Sequence, residues 1–351
     1  MKLKYYHNLD GFRAIAAFAV IIAHFFTLER LGGRSWLFAI AQQGNSGVSL
    51  FFVLSGFVIT RILLQAVNEP RYFVNFYGRR TLRIFPLYYL ALCAYVFLPW
   101  LLNWISALPP LRESWYHFAY LQNVARTFNW VHQGPGHYWS LAVEEHFYLI
   151  WPAVVYLCRG KHQEKLIWAS IGFIAFASIL RWILFSRGLE INVFTFTRMD
   201  QLAMGCILAI AERNGWLQAP NRSRHFLLLM AIGVLCIAAC SRLPELPMNV
   251  LKHLAYGLLY FGLIGFGITT SSGHLMNRFL NVNWMQFLGK ISYGLYVWHV
   301  LVLMLFHHYC KAGNPIVDFL LISAAVIALS AASYYWYEKK FLSLKRYFEV
   351  G

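Results

Sequence analysis

The chain has 351 residues, of which 59% are hydrophobic, 18% aromatic and only 13% charged. Soluble domains carry roughly 25% charged residues, so an ordinary soluble globular protein is excluded. The formal charge of +16 raises nucleic acid as a partner, but basic loops flanking membrane spans account for it without one.

Repeated apolar runs of roughly 20 residues predict an all-α, polytopic membrane protein with about ten transmembrane helices. The expected spans are 8–28, 46–67, 84–105, 139–158, 165–186, 195–212, 225–241, 250–270, 284–308 and 315–338. The first follows Lys2 and Lys4 without a small-residue cleavage site, which reads as a retained span rather than a signal peptide. With the N-terminus inside, inner segments hold 19 of the 30 Lys and Arg, outer segments eight, and Arg13, Arg181 and Arg198 fall within spans. That asymmetry predicts both termini in the cytoplasm and a multi-pass protein of the cell's inner membrane. Residues 1–351 read as one integral membrane domain with no appended soluble domain. The six cysteines lie in apolar segments with no metal-ligand spacing and read as small buried hydrophobes.

The first span, Leu9 to Leu28, carries Asp10, Arg13 and His24. Ionisable groups at membrane depth are costly and are functional candidates by default. Arg13 and His24 are eleven residues apart, about three turns, so they share a helix face roughly 16 Å apart along the axis. The second span contains Gly47, Ser55 and Gly56, small residues suited to close helix packing. Before the third span, Arg80 and Arg83 share a helix face, and Pro86 is placed to bend the chain there. Their clustering fits either cytoplasmic topology or a phosphate site, since guanidinium forks match phosphate oxygens.

A stretch of about 33 residues, Ser106 to Tyr138, follows, with Pro109, Pro110, Asn123, His132 and His137. A connection that long suggests a binding loop, a lid or a re-entrant piece. The fourth span opens with Glu144 and Glu145, one of which must face the bundle or a wet cavity. In the sixth, Arg198 and Asp200 are two apart and so must each find a partner on another helix. The ninth carries Tyr293 and His299. The tenth ends in Glu338-Lys339-Lys340, which reads as interfacial anchoring. Residues 167–186, 226–241 and 250–270 read as apolar filler.

Taken together, these motifs resemble the acyltransferase-3 family of integral membrane O-acyltransferases. The match rests on Leu9-Asp10-Gly11-Phe12-Arg13-Ala14 with His24, and on Gly47 to Phe57. It continues through Arg80-Thr81-Leu82-Arg83-Ile84-Phe85-Pro86, Trp139 to Tyr148, and Ser292 to His299. Ser49 stands where the family often has Asp, His146 where Gln is common, and Lys in the closing motif where Pro is usual. The resemblance implies transfer of an acyl group, usually acetyl, from cytoplasmic acyl-CoA to a hydroxyl. The implied acceptor is a sugar of a cell-surface polysaccharide or glycolipid.

On that reading Arg13, Arg80 and Arg83 hold the anionic end of acetyl-CoA, and its arm rises toward His24, the general base. Glu144 or Glu145 is expected to orient His24, as a carboxylate does in a Ser-His-Asp triad. Asn123, Tyr138, Ser140, Arg198, Tyr293 and His299 are candidate substrate or oxyanion contacts. No metal is expected, and the oligomeric state is open. A proton-coupled transporter or flippase of a lipid-linked or small solute is the alternative, since such proteins also bury ionisable groups. It is disfavoured by the lack of a visible repeat.

Overall fold

The structure, a computed structural model, describes residues 4–27, 29–101, 111–130, 134–160, 164–310 and 313–348. Pro109, Pro110 and His132 lie outside the described residues. Among the described residues all regular structure is helical. An apolar chain in hydrocarbon must satisfy each backbone N–H and C=O within its own segment, which only a helix or a closed barrel can do.

In chain order the helices are α1 (Asn8–Phe25), α2 (Ser35–Gln42), α3 (Gly47–Ala66), α4 (Tyr72–Leu101), α5 (Leu111–Phe118) and α6 (Gln122–Thr127). Then come α7 (Trp139–Leu157), α8 (Glu164–Ser186), α9 (Thr195–Arg213), α10 (Arg222–Cys240) and α11 (Glu245–Thr269). The last are α12 (Leu275–Leu280), α13 (Asn283–Lys290), α14 (Ser292–Tyr309), α15 (Pro315–Ala332) and α16 (Lys339–Ser343). Among the described residues seven stretches, built on α1, α3, α4, α8, α10, α11 and α15, are long and apolar enough to cross a membrane. The bent pair α13–α14 makes eight if taken as one span. The chain is therefore a multi-pass membrane protein.

Several expected elements change shape. The third span begins at Tyr72, so Arg80 and Arg83 sit two to three turns inside α4 rather than in a loop. The ninth breaks, with α13 and α14 meeting at 70°. There Gly289 lies against α1, where a Cβ would stand 2.1 Å from the Asp10 carbonyl oxygen. The long outer stretch is largely helical, forming α5 and α6. Helices α7 and α9 fall outside the seven because polar residues, Glu144, Glu145 and His146 in α7 and Arg198, Asp200 and Gln201 in α9, make them less apolar.

Helix α3 sits at the centre and contributes to both apolar cores. Gly56 lets it touch α9, where a Cβ would meet the Leu202 carbonyl oxygen at 1.9 Å. Asp200 finds its expected partner on another helix. Arg181 of α8 donates to it at 2.8 Å, both side chains fully buried. Arg181 lies in a stretch read from sequence as filler. Glu338, expected at the interface, is instead only 4% exposed and accepts a hydrogen bond from Ser333 Oγ at 3.2 Å.

Candidate active site

A cavity of about 680 Å³ runs beside α3. Its α3 wall includes Val48, Phe51, Ser55, Val58, Ile62 and Gln65, spaced every three or four residues along one helix face. From Val48 to Ala66 that wall covers about 27 Å of axis, nearly the thickness of a hydrocarbon core. The cavity is thus long and narrow, and it follows most of one span.

One end is heavily charged. Arg13, Arg79, Arg80, Arg83 and Lys345 line it, opposed by Glu69. Arg13 arrives already paired, donating to Asp10 Oδ1 at 2.7 Å, while the Tyr5 hydroxyl donates to the other Asp10 oxygen. Arg80 stacks over the Tyr148 ring at 4.8 Å. Arg83 lies within electrostatic reach of Glu338.

Carboxylates occupy the middle. Glu144 Oε2 accepts from the Tyr148 hydroxyl at 3.1 Å, and Tyr148 is bonded in turn to Ser55 Oγ. Glu145 Oε1 is buried with no hydrogen-bond partner among the described residues, and Arg80 is the cation that acts on it.

At the far end Ser140 and Tyr296 line the cavity with their hydroxyl oxygens 2.5 Å apart. The Tyr296 hydroxyl donates to the His137 carbonyl at 2.8 Å, so Ser140 is the donor between the two hydroxyls. Next to this pair lies a chain of imidazoles. His299 Nδ1 is 2.6 Å from the Tyr296 carbonyl oxygen, and His299 Nε2 is 2.8 Å from His24 Nδ1. A carbonyl only accepts, so His299 Nδ1 carries the proton and, in the neutral ring, Nε2 accepts. His24 Nδ1 must then donate, which leaves the lone pair of neutral His24 on Nε2. His24 is exposed, whereas His299 is fully buried. His137 closes the group, its ring centroid 4.7 Å from that of His299 and 6.2 Å from that of His24.

Seven sequence-chosen residues (Arg13, Arg80, Arg83, Ser140, Glu144, Glu145 and Tyr293) share the cavity. Tyr293 is pinned there, its hydroxyl donating to the Ile84 carbonyl at 2.8 Å. Three are elsewhere. Asn123 donates to Thr195 Oγ1 at 2.6 Å and ties α6 to α9. The Tyr138 hydroxyl donates to the Val297 carbonyl at 3.3 Å and is fully buried. Arg198 is held by His253, by Gln201 Oε1 at 3.1 Å, and by Ser49 Oγ at 3.4 Å.

The expected carboxylate partner of His24 is corrected: no described contact joins it to Glu144 or Glu145, and His299 takes that place. The glutamates are drawn instead toward Tyr148 and Arg80. Tyr148, Tyr296, Arg79 and Lys345 are not singled out by the sequence, and Ser55 and His137 stand out there only as a small packing residue and as part of the long connection. Helical spacing points to two of them, because Tyr148 is four residues after Glu144 and Tyr296 three before His299.

The acyltransferase-3 family model, described as an acyltransferase domain, matches residues 6–335. Peptidoglycan O-acetyltransferase OatA of Listeria monocytogenes is 29% identical over 326 residues, 86% of this chain and 50% of that protein. O-acetyltransferase OatA of Staphylococcus aureus is 27% identical over 348 residues, 93% and 55% of the two chains. The putative peptidoglycan O-acetyltransferase YrhL of Bacillus subtilis is 28% identical over 370 residues, 96% and 55%. The chain spans about half the length of these curated relatives. No solved structure matches it. A match over nearly the whole chain, joined to a cavity with a charged end and a chain of imidazoles beside its other end, places this protein in the acyltransferase-3 family.

Proposed function

We propose that the chain is a membrane O-acetyltransferase. It takes acetyl from acyl-CoA on the cytoplasmic side and passes it to a sugar hydroxyl of a cell-wall glycan on the outer side. Peptidoglycan is the favoured acceptor, after two relatives named as peptidoglycan O-acetyltransferases. About ten spans with both termini inside the cytoplasmic membrane put the arginine end at the inner surface and the imidazoles toward the outer one. The single observation carrying this reading is that one narrow cavity leads from Arg80 and Arg83 to Ser140 and Tyr296, beside the imidazole chain.

Arg79, Arg80 and Arg83 bind the phosphates of the donor, where forked guanidiniums give charge-assisted hydrogen bonds. The narrow middle admits an unbranched thioester arm and excludes bulk water. His24 Nε2 takes the proton of the acceptor hydroxyl as its oxygen bonds to the thioester carbonyl carbon. The Ser140 hydroxyl stands at the cavity end and, on rotating away from the Tyr296 oxygen, donates to the oxygen that becomes negative, while the Tyr296 hydroxyl stays hydrogen-bonded to the His137 carbonyl. The C–S bond then breaks, and His24 returns the proton to the leaving thiolate. His299 holds His24 in the tautomer that exposes Nε2, the positioning task of the carboxylate in a Ser-His-Asp triad.

Purified protein in lipid nanodiscs, radiolabelled acetyl-CoA and a peptidoglycan fragment test this. Label moving to the glycan, and lost in a folded His24→Ala variant, supports the reading. Solute flux without acetyl-CoA consumption overturns it in favour of transport.

A further inference from the structure

Helix α15 continues without a break through a π-helical stretch, Ser333–Glu338, into α16 and a last 3-10 turn, Leu344–Phe348. This terminal stretch, the tail, packs against α4. The Phe348 ring lies so close to Gly78 that a Cβ there would stand 2.3 Å from the ring edge, so glycine alone leaves room for it. Glu338, buried and held by Ser333, faces Arg83 from the tail side. Between these two anchors Lys345 lines the cavity at the end where Arg79 and Arg80 stand.

We propose that this tail is a wall of the anion site, with Lys345 as a further phosphate-binding residue, Glu338 as the positioning residue for Arg83, and Phe348 on Gly78 as the seat that holds the tail in place. The ligand class is a polyphosphate nucleotide thioester. The inference rests on the donor reading above and adds to it Lys345, Phe348 and Gly78, which lie outside every motif that carries the family resemblance. A cation on a flexible stem suits this place, because it contacts phosphate as a point charge while the arginines supply the planar forks. Both lysine and arginines share one opening, so the site has cations on two sides: α4 on one, the tail on the other.

The experiment is direct binding of CoA to the full chain in nanodiscs, by calorimetry at two salt concentrations. K345E is expected to weaken CoA about tenfold, the value of one charge-assisted contact, and to flatten the salt dependence. K345R is expected to stay within twofold of wild type. Phe348→Ala and Gly78→Val each unseat the tail and are expected to weaken binding about threefold. Their double variant is expected to be no worse than either alone, because both remove one contact. If wild type does not bind CoA, the donor reading falls and this inference with it. If wild type binds and K345E stays within twofold, the donor reading stands and the tail has no role. If K345E and K345R lose equally, packing rather than charge explains the loss and the assignment of Lys345 is overturned.

Discussion

The two ends of the cavity are built on opposite principles. At the arginine end Arg79, Arg80, Arg83 and Lys345 line the cavity together, and Arg13 is held in an ion pair with Asp10. At the imidazole end a directed chain of hydrogen bonds runs from the Tyr296 carbonyl through His299 to His24, with the His137 ring packed beside it. Open like charges create a long-range field that captures an anion but orients it weakly. A directed chain of neutral groups attracts little from a distance but sets which nitrogen holds the proton. The difference separates binding from chemistry, so damage to the imidazole end should appear in kcat and damage to the arginine end in KM.

His24→Ala gives the largest expected effect. Loss of a positioned general base costs on the order of 10²- to 10⁴-fold, and it should fall on kcat with KM for acetyl-CoA nearly unchanged. Initial rates over a range of donor concentrations would show it, and a variant that loses donor affinity instead would break the comparison. His299→Ala comes next, at roughly 10- to 100-fold in kcat, because His24 survives but is free to take the wrong tautomer. His299→Gln, which can still donate to the carbonyl and accept from His24, should recover part of that loss; equal loss in both variants would assign His299 to packing. At the other end, Arg80→Ala or Arg83→Ala should raise KM for acetyl-CoA about tenfold with kcat within a few-fold. Here a kcat collapse at constant KM would mean that the arginines touch the reacting atoms.

How far this division could be read in advance depended on the range of the contacts. Local spacing found the helices, the shared face of Arg80 and Arg83, and Arg13 and His24 as ends of one rail. It also found that Asp200 needs a partner elsewhere, but not that the partner is Arg181, since pairing across helices is set by packing and not by period. The same limit explains the reassigned partner of His24. Glu144 and His299 are equally far from it in kind, one acidic and one basic, and only the crossing of α1 with α14 places the imidazole there. The break between α13 and α14 escaped a hydropathy reading because both halves are apolar. The tail was misread because Glu338 beside two lysines looks interfacial until α4 covers it.

Glu145 offers the smallest effect and the sharpest test. Its Oε1 is buried without a hydrogen-bond partner among the described residues, and the cation acting on it is Arg80, at the arginine end. When ionised, a carboxylate in that place partly neutralises the arginine and so weakens the field felt by an incoming phosphate. Glu145→Gln keeps the shape and removes the charge. It should lower KM for acetyl-CoA by about twofold, the scale of a partly screened pair, and leave kcat within twofold. The paired measurement is Glu144→Gln, in which the Tyr148 hydroxyl keeps an acceptor in the amide oxygen and the effect should be smaller still. Should Glu145→Gln instead reduce kcat as deeply as His24→Ala, the carboxylate would belong to the proton chain, and the cavity would be one catalytic unit rather than a binding end and a chemical end.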